Sequence, residues 1–199
     1  MRVTVPEPLR GLVLAGGKSR RMGSDKAALQ SGGETQLSRA VRLLKNHVDE
    51  VFVSTRAEQA EDPLRSSFEQ IVDRYDGIGP IAGILSAMDT APDSSWIVLA
   101  CDLPNIDDIT IEYLIENADA ERPFTAYRSV NDNLPEPLCA IYRPMSRRLV
   151  DQYIADGIVC PRKMLINSPA CLLEQPNPSA LHNINSPEDL DGTDINLTS

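Results

Sequence analysis

The chain has 199 residues, 42% of them hydrophobic and 24% charged, with a formal net charge of −10. That is enough apolar material for one core-forming domain, and the acidic balance argues against a nucleic-acid partner, whose backbone is bound by broad basic surfaces. No run approaches the roughly eighteen apolar residues of a membrane span, and the start MRVTVPEPLR has no apolar signal core, so the expectation is a cytoplasmic protein without a membrane partner.

LRGLVLAGG is a short apolar run closed by two glycines, the pattern of a buried strand ending in a loop. TQLSRAVRLLKNHV puts Leu37, Ala40, Val41, Leu44 and Val48 at helical spacing, with Arg39, Arg42 and Lys45 on the other face. EVFVST and EQIVD read as the next strands, and PIAGILSAMDTA as a helix with Pro80 in its first turn. WIVLACD is an almost wholly apolar strand ending in an acid, and DDITIEYLIENA is a helix opened by aspartates. Beyond residue 120, PFTAY and PLCAIYR read as strands, PMSRRLVDQYIADG as a helix stopped by Gly157, and ACLLE as a late strand. Apolar strands alternating with amphipathic helices imply an α/β fold, a mainly parallel sheet covered by helices on both faces. We read residues 1–190 as a single domain and 191–199 as a flexible tail. Cys101, Cys139, Cys160 and Cys171 show no C-x-x-C spacing and read as reduced core residues; His47 and His182 read as structural.

In open parallel sheets, ligands sit outside the carboxyl ends of the strands, so residues that follow strands come first. GGKSRRMG fits neither the Walker A pattern nor G-x-G-x-x-G. Its physics still suits phosphate: Gly16 and Gly17 let backbone N–H groups approach without a Cβ, while Arg21 and Lys26 supply neutralising charge. A glycine turn with a solvated basic loop is the competing reading. Asp102, directly after an apolar strand and before Leu-Pro, suits either a Mg²⁺ ligand or a helix cap or turn acid for the following segment. Asp73, ahead of Gly77, Gly79, Pro80 and Gly83, suits acceptance of hydrogen bonds from a base or ribose, or a plain strand-to-helix turn.

LAGGKSRRMGSDKAAL resembles the signature L-A-G-G-x-S-x-R-M-G-x-D-K of the molybdenum cofactor guanylyltransferases, small nucleotidyltransferases. GPIAGIL, VLACDLP and NINSPEDL extend the similarity in order over roughly residues 9 to 190. The resemblance implies a Rossmann-like nucleotidyltransferase fold and transfer of GMP from GTP to molybdopterin with release of pyrophosphate. By position, Leu14, Ala15, Gly16, Gly17, Lys26 and Asp73 would hold the nucleotide, and Asp102 would bind both nucleotide and Mg²⁺. Arg21, Lys26 and Asp102 would be catalytic, with Asn183 and Asn185 facing the acceptor or the reacting phosphates. Implied partners are GTP, molybdopterin, and cofactor-insertion proteins or molybdoenzyme chaperones. A related enzyme using CTP or another phosphorylated acceptor, and a noncatalytic nucleotide-binding module, are the alternatives. Ser54-Thr55-Arg56 stands where these guanylyltransferases often carry asparagine, and NDNLPEPLCAIYRP is rich in proline for an acceptor-binding side.

Overall fold

A computed structural model describes residues 7–17, 25–183 and 195–196. Its main sheet has seven strands: β1 (Leu9–Leu14), β4 (Val51–Thr55), β5 (Gln70–Val72), β6 (Ser95–Ala100), β7 (Phe124–Arg128), β8 (Pro135–Tyr142) and β9 (Cys171–Leu173). They lie in the order β5-β4-β1-β6-β8-β7-β9, and only β8 runs against the rest. A small second sheet joins β2 (Gln30–Ser31) to β3 (Glu34–Thr35) and to β10 (Ile195–Asn196), which falls within the stretch read as a tail.

The mainly parallel sheet of the sequence reading is observed, and its physical cause is visible in β6. All six residues of that strand are buried, so its run of apolar side chains feeds two cores at once. Val13, Ile97 and Leu99 face one core, built with α1 (Gln36–Lys45) and α3 (Asp108–Glu116). Leu12, Trp96 and Val98 face the other, built with α2 (Ile81–Thr90), α4 (Arg147–Ala155) and α5 (Pro161–Ile166). Helices therefore cover both faces, as alternation along each strand requires.

Several local expectations shift. α1 closes at Lys45, although the Val48 amide still donates to the Leu44 carbonyl at 3.0 Å and the side chain stays in the core. His47 lies past that helix and meets the Asp108 carboxylate at 3.0 Å. Arg39 is not a purely solvated face residue: its guanidinium donates to the carbonyls of Leu103 and Ile106 and ties α1 to the loop after β6. Pro80 precedes α2 as its capping residue. Cys101 and Cys139 are core residues, and burial pushes both thiols up to about 12, but Cys160 is exposed and Cys171 only half-buried. Among the described residues no helix is long and apolar enough to cross a membrane.

The prolines of NDNLPEPLCAIYRP occupy places where a ladder amide is dispensable. Pairing of β7 with β8 runs Phe124↔Tyr142 to Ala126↔Ala140, then jumps to Tyr127↔Glu136, so Pro137, Leu138 and Cys139 bulge out of that ladder.

The ends of β1, β4 and β6 are level, with Leu14 paired to both Ser54 and Ala100. The chain moves outward from β1 through β4 to β5, then returns by α2 to β6 on the other side of β1. The switch point between β1 and β6 is thus a crevice at the carboxyl ends of both strands.

Gly83 lets α2 settle against β4 at that crevice. A Cβ at this position would lie 2.9 Å from Ser54 Cβ and 3.0 Å from Leu14 Cδ2. Gly83→Ala is expected to destabilise by about 1–3 kcal/mol through overpacking, read as a lower urea midpoint. Adding Ser54→Gly should make the double variant less destabilised than the sum of the two single changes; strict additivity would refute the contact.

Candidate nucleotidyl-transfer site

β1 delivers Ala15, Gly16 and Gly17 into the crevice. The Ala15 amide donates to the Ser54 carbonyl at 3.2 Å, and the Cys101 amide donates to the Leu14 carbonyl at 3.3 Å, so the loop leaves a pinned strand end. Neither Gly16 nor Gly17 has a positive φ. A Cβ on Gly17 would meet nothing within 4 Å, and one on Gly16 would touch Arg56 Cγ and Asp73 Oδ2 only at 3.6 Å. The fold does not demand glycine at these two positions. What glycine provides there is open space beside a row of backbone groups, the requirement for close approach of a phosphate.

Asp25 caps the short turn Lys26–Ala28 by accepting from the Ala27 amide at 3.1 Å. That turn presents Lys26, whose ammonium lies 2.8 Å from Asp102 Oδ2; the two side chains are 17% and 20% exposed. Residues 76 positions apart are thereby joined at the mouth of the crevice. The cap of α3 is Asp107, which accepts from the Thr110 amide at 2.8 Å, while Asp102 lies in the turn after β6.

Asp102 also fits a hard cation. Its Oδ1 makes no hydrogen bond or ion pair with a described residue. Among the described residues no three carboxylate, imidazole or thiol groups gather into a cage. A single carboxylate facing a phosphate crevice is the donor set of Mg²⁺, which keeps waters and substrate phosphates as its other ligands.

Asp73 follows β5, with its amide donating to the Thr55 carbonyl at 2.8 Å. Ser54 Oγ donates to Asp73 Oδ1 at 2.8 Å. Burial raises the Asp73 pKa above its ordinary 3.8, against the hydrogen bond from Ser54 and the charge of Arg56. The departure at Ser54-Thr55-Arg56 thus has a local role: serine orients the acid that sequence placed at the nucleotide. In the loop after Asp73, Gly77 and Gly79 have φ of 76° and 71°, which only glycine adopts freely.

A cavity of about 510 Å³ lies between the 77–80 loop, the β8 bulge and the start of α5. Leu103 and Asn183 both contribute to its wall. Of the residues expected in the site, Leu14, Ala15, Gly16, Gly17, Lys26 and Asp102 come together at the crevice, Asp73 borders Gly16, and Asn183 lines the cavity. Arg21 and Asn185 lie outside the described residues.

Sequence reasoning missed Arg65. It sits in EDPLRSSF, a stretch with no motif, yet it is 1% exposed. Its Nε and Nη2 donate to the Ala15 carbonyl at 3.2 and 2.8 Å, and its Nη1 lies 2.7 Å from Asp25 and 3.2 Å from Asp62. Burial opposes the charge, but the two carboxylates outweigh it and hold the guanidinium pKa above its ordinary value. A signal existed only in the negative sense: nothing in the local pattern accounts for an arginine between Leu64 and Ser66.

The family model described as the MobA-like NTP transferase domain matches residues 11–169. The chain is 37% identical over 182 residues to a molybdenum cofactor biosynthesis bifunctional protein of Synechocystis, covering 92% of this chain and 52% of that protein. It therefore spans about half the length of that relative. It is 34% identical over 199 residues to a probable molybdenum cofactor guanylyltransferase of Opitutus terrae, covering 92% of this chain and 93% of the other. Among solved structures, the molybdopterin-guanine dinucleotide biosynthesis protein A of Archaeoglobus fulgidus superposes with a TM-score of 0.73 at 25% identity, covering 92% and 95% of the two chains.

Two outcomes are expected from substitutions here. Arg65→Met should destabilise by about 3 kcal/mol, the low end for breaking a buried pair, because Asp25 and Asp62 keep 38% of their exposure. Arg65→Lys should recover little, since one ammonium cannot span the contacts of a planar fork; full recovery of the thermal midpoint would refute this. For Asp73, a raised native pKa means that the folded state holds the proton more tightly than the unfolded chain. Its contribution to stability is complete below pH 3.8 and is lost as pH rises through the native value. Asp73→Asn should therefore raise the melting temperature at pH 7 but not at pH 3, while weakening nucleotide binding.

Proposed function

The chain belongs to the MobA-like NTP transferase family, and from that premise we propose that it transfers GMP from GTP to the terminal phosphate of molybdopterin. The products are the guanine dinucleotide form of the cofactor and pyrophosphate. The observation that carries this reading is the Lys26–Asp102 pair, formed between the turn that follows the glycine loop and the end of β6.

The chemistry asks little of a general base. A phosphate monoester is already ionised at neutral pH; one of its oxygens forms the new bond to the α-phosphorus as the bond from that phosphorus to the β-bridging oxygen breaks. Catalysis then rests on alignment and on neutralising charge. Gly16 and Gly17 hold the triphosphate by backbone donation, with Lys26, and Arg21 from the adjoining basic loop, balancing its charge. Asp73 takes the nucleoside end, held in place by Ser54. Asp102 would hold Mg²⁺, which when bound supplies positive charge to the phosphate oxygens around the reacting centre. Lys26 also keeps Asp102 aimed before substrate arrives. Asn183 and Asn185 meet the acceptor side. Handing the product to cofactor-insertion proteins or molybdoenzyme chaperones belongs to the same proposal.

Calorimetric titration with GTP, CTP, ATP and UTP in Mg²⁺ should show a clear preference for GTP; preference for CTP would move the function to cytidylyl transfer. Lys26→Ala and Asp102→Ala should each lower kcat by about 10²-fold or more with the circular dichroism spectrum unchanged. Wild-type turnover in either purified variant would overturn the assignment.

A further inference from the structure

The described lining of the cavity at Leu103, the residue after Asp102, includes none of Ala15, Gly16, Gly17, Lys26 or Asp73. Its lining is largely apolar, including Ile78, Leu103, Pro137, Leu138, Val159 and Leu181. Among the described residues that line it, only two carry charge, Glu136 and Arg162. They form one unit. Arg162 Nη2 donates to Glu136 Oε2 at 2.7 Å, and Arg162 Nη1 is drawn outward by Asp132 Oδ2 at 3.1 Å. Glu136 is 19% exposed, and its Oε1 has no hydrogen-bonding partner among the described residues. The bulge fixes this arrangement, because the β7–β8 register breaks directly after Glu136.

An apolar wall with a carboxylate oxygen next to a guanidinium is complementary to a flat heterocycle of particular polarity. The carboxylate accepts from ring N–H and exocyclic amino groups, and the guanidinium donates to a ring carbonyl. A 2-amino-4-oxo pyrimidine edge carries that set, and a pterin presents it at the end opposite its phosphorylated side chain. We propose that Glu136 and Arg162 recognise the pterin ring of the acceptor and so set acceptor specificity, an inference that rests on the molybdopterin reading above. Guanine carries the same edge. The pterin is favoured here because the described lining includes none of Ala15, Gly16, Gly17 or Lys26, beside which the nucleotide's phosphates are proposed to lie, and Asp73 is the residue proposed for the nucleoside side. The acceptor phosphate then approaches along Leu103 toward Asp102.

The test uses the full chain and two ligands read separately. Pterin binding is followed by fluorescence quenching of a pterin bearing a phosphate monoester on its 6-side chain, GTP binding by calorimetry, and transfer by steady-state kinetics with molybdopterin. Glu136→Gln should weaken the pterin probe at least tenfold and raise the acceptor KM by a similar factor, with kcat within threefold and the GTP Kd unchanged. Arg162→Lys, which keeps charge but loses the fork, should do the same to a smaller degree. Asp132→Asn removes the outer partner of Arg162 without touching the cavity, and should leave probe affinity within twofold. The proposal is overturned if Glu136→Gln leaves both probe affinity and acceptor KM unchanged, if it weakens GTP instead, or if Asp132→Asn loses probe affinity equally. A wild-type protein that binds the pterin through Glu136 but transfers no GMP would refute the guanylyl-transfer reading and leave this site standing.

Discussion

One buried guanidinium holds the glycine loop at both ends. Arg65 grips the Ala15 carbonyl, where β1 gives way to Gly16 and Gly17, and it also grips Asp25, where the loop returns to the turn that carries Lys26. Without that clamp the two ends of the basic loop would be fixed only through their separate elements. With it, Lys26 is brought within 2.8 Å of Asp102 across the mouth of the crevice. A buried arginine is tolerated because carbonyl and carboxylate oxygens around it replace water, the condition for keeping a charge in the interior.

The chain's net charge is −10, so a positive side chain at the site is a local feature. Among the described residues Lys26 stands at the β1–β6 switch point, where strand ends and a glycine loop leave open space. Around that point the helices act as supports: α1 sends Arg39 to the carbonyls of the loop after Asp102, and α2 comes close enough at Gly83 for Ser54 to hold Asp73.

Asp102 pairs with Lys26, and the residue after it, Leu103, lines the cavity. Toward β4 and β5 the crevice is polar, with Asp73 and open backbone. Toward β8 it becomes an apolar cavity whose described charged groups are one carboxylate and one guanidinium. The bulge that lines this cavity uses prolines where a continuous antiparallel ladder would need amides.

The alternation of apolar strands and amphipathic helices determined the layered fold, because a strand as apolar as SWIVLA must be covered on both faces. Residues following strands, Gly16, Gly17, Asp73 and Asp102, were legible for the same reason, since strand ends in a parallel sheet converge on one edge. Periodicity carries no information about how far apart in sequence two partners lie. The clamp by Arg65, the pairing of Lys26 with Asp102 over 76 residues, the contact of Gly83 with Ser54 and the three-residue register jump after Glu136 were therefore decided only by tertiary structure. Each depends on which elements the sheet order brings side by side, and that order is a property of the whole chain.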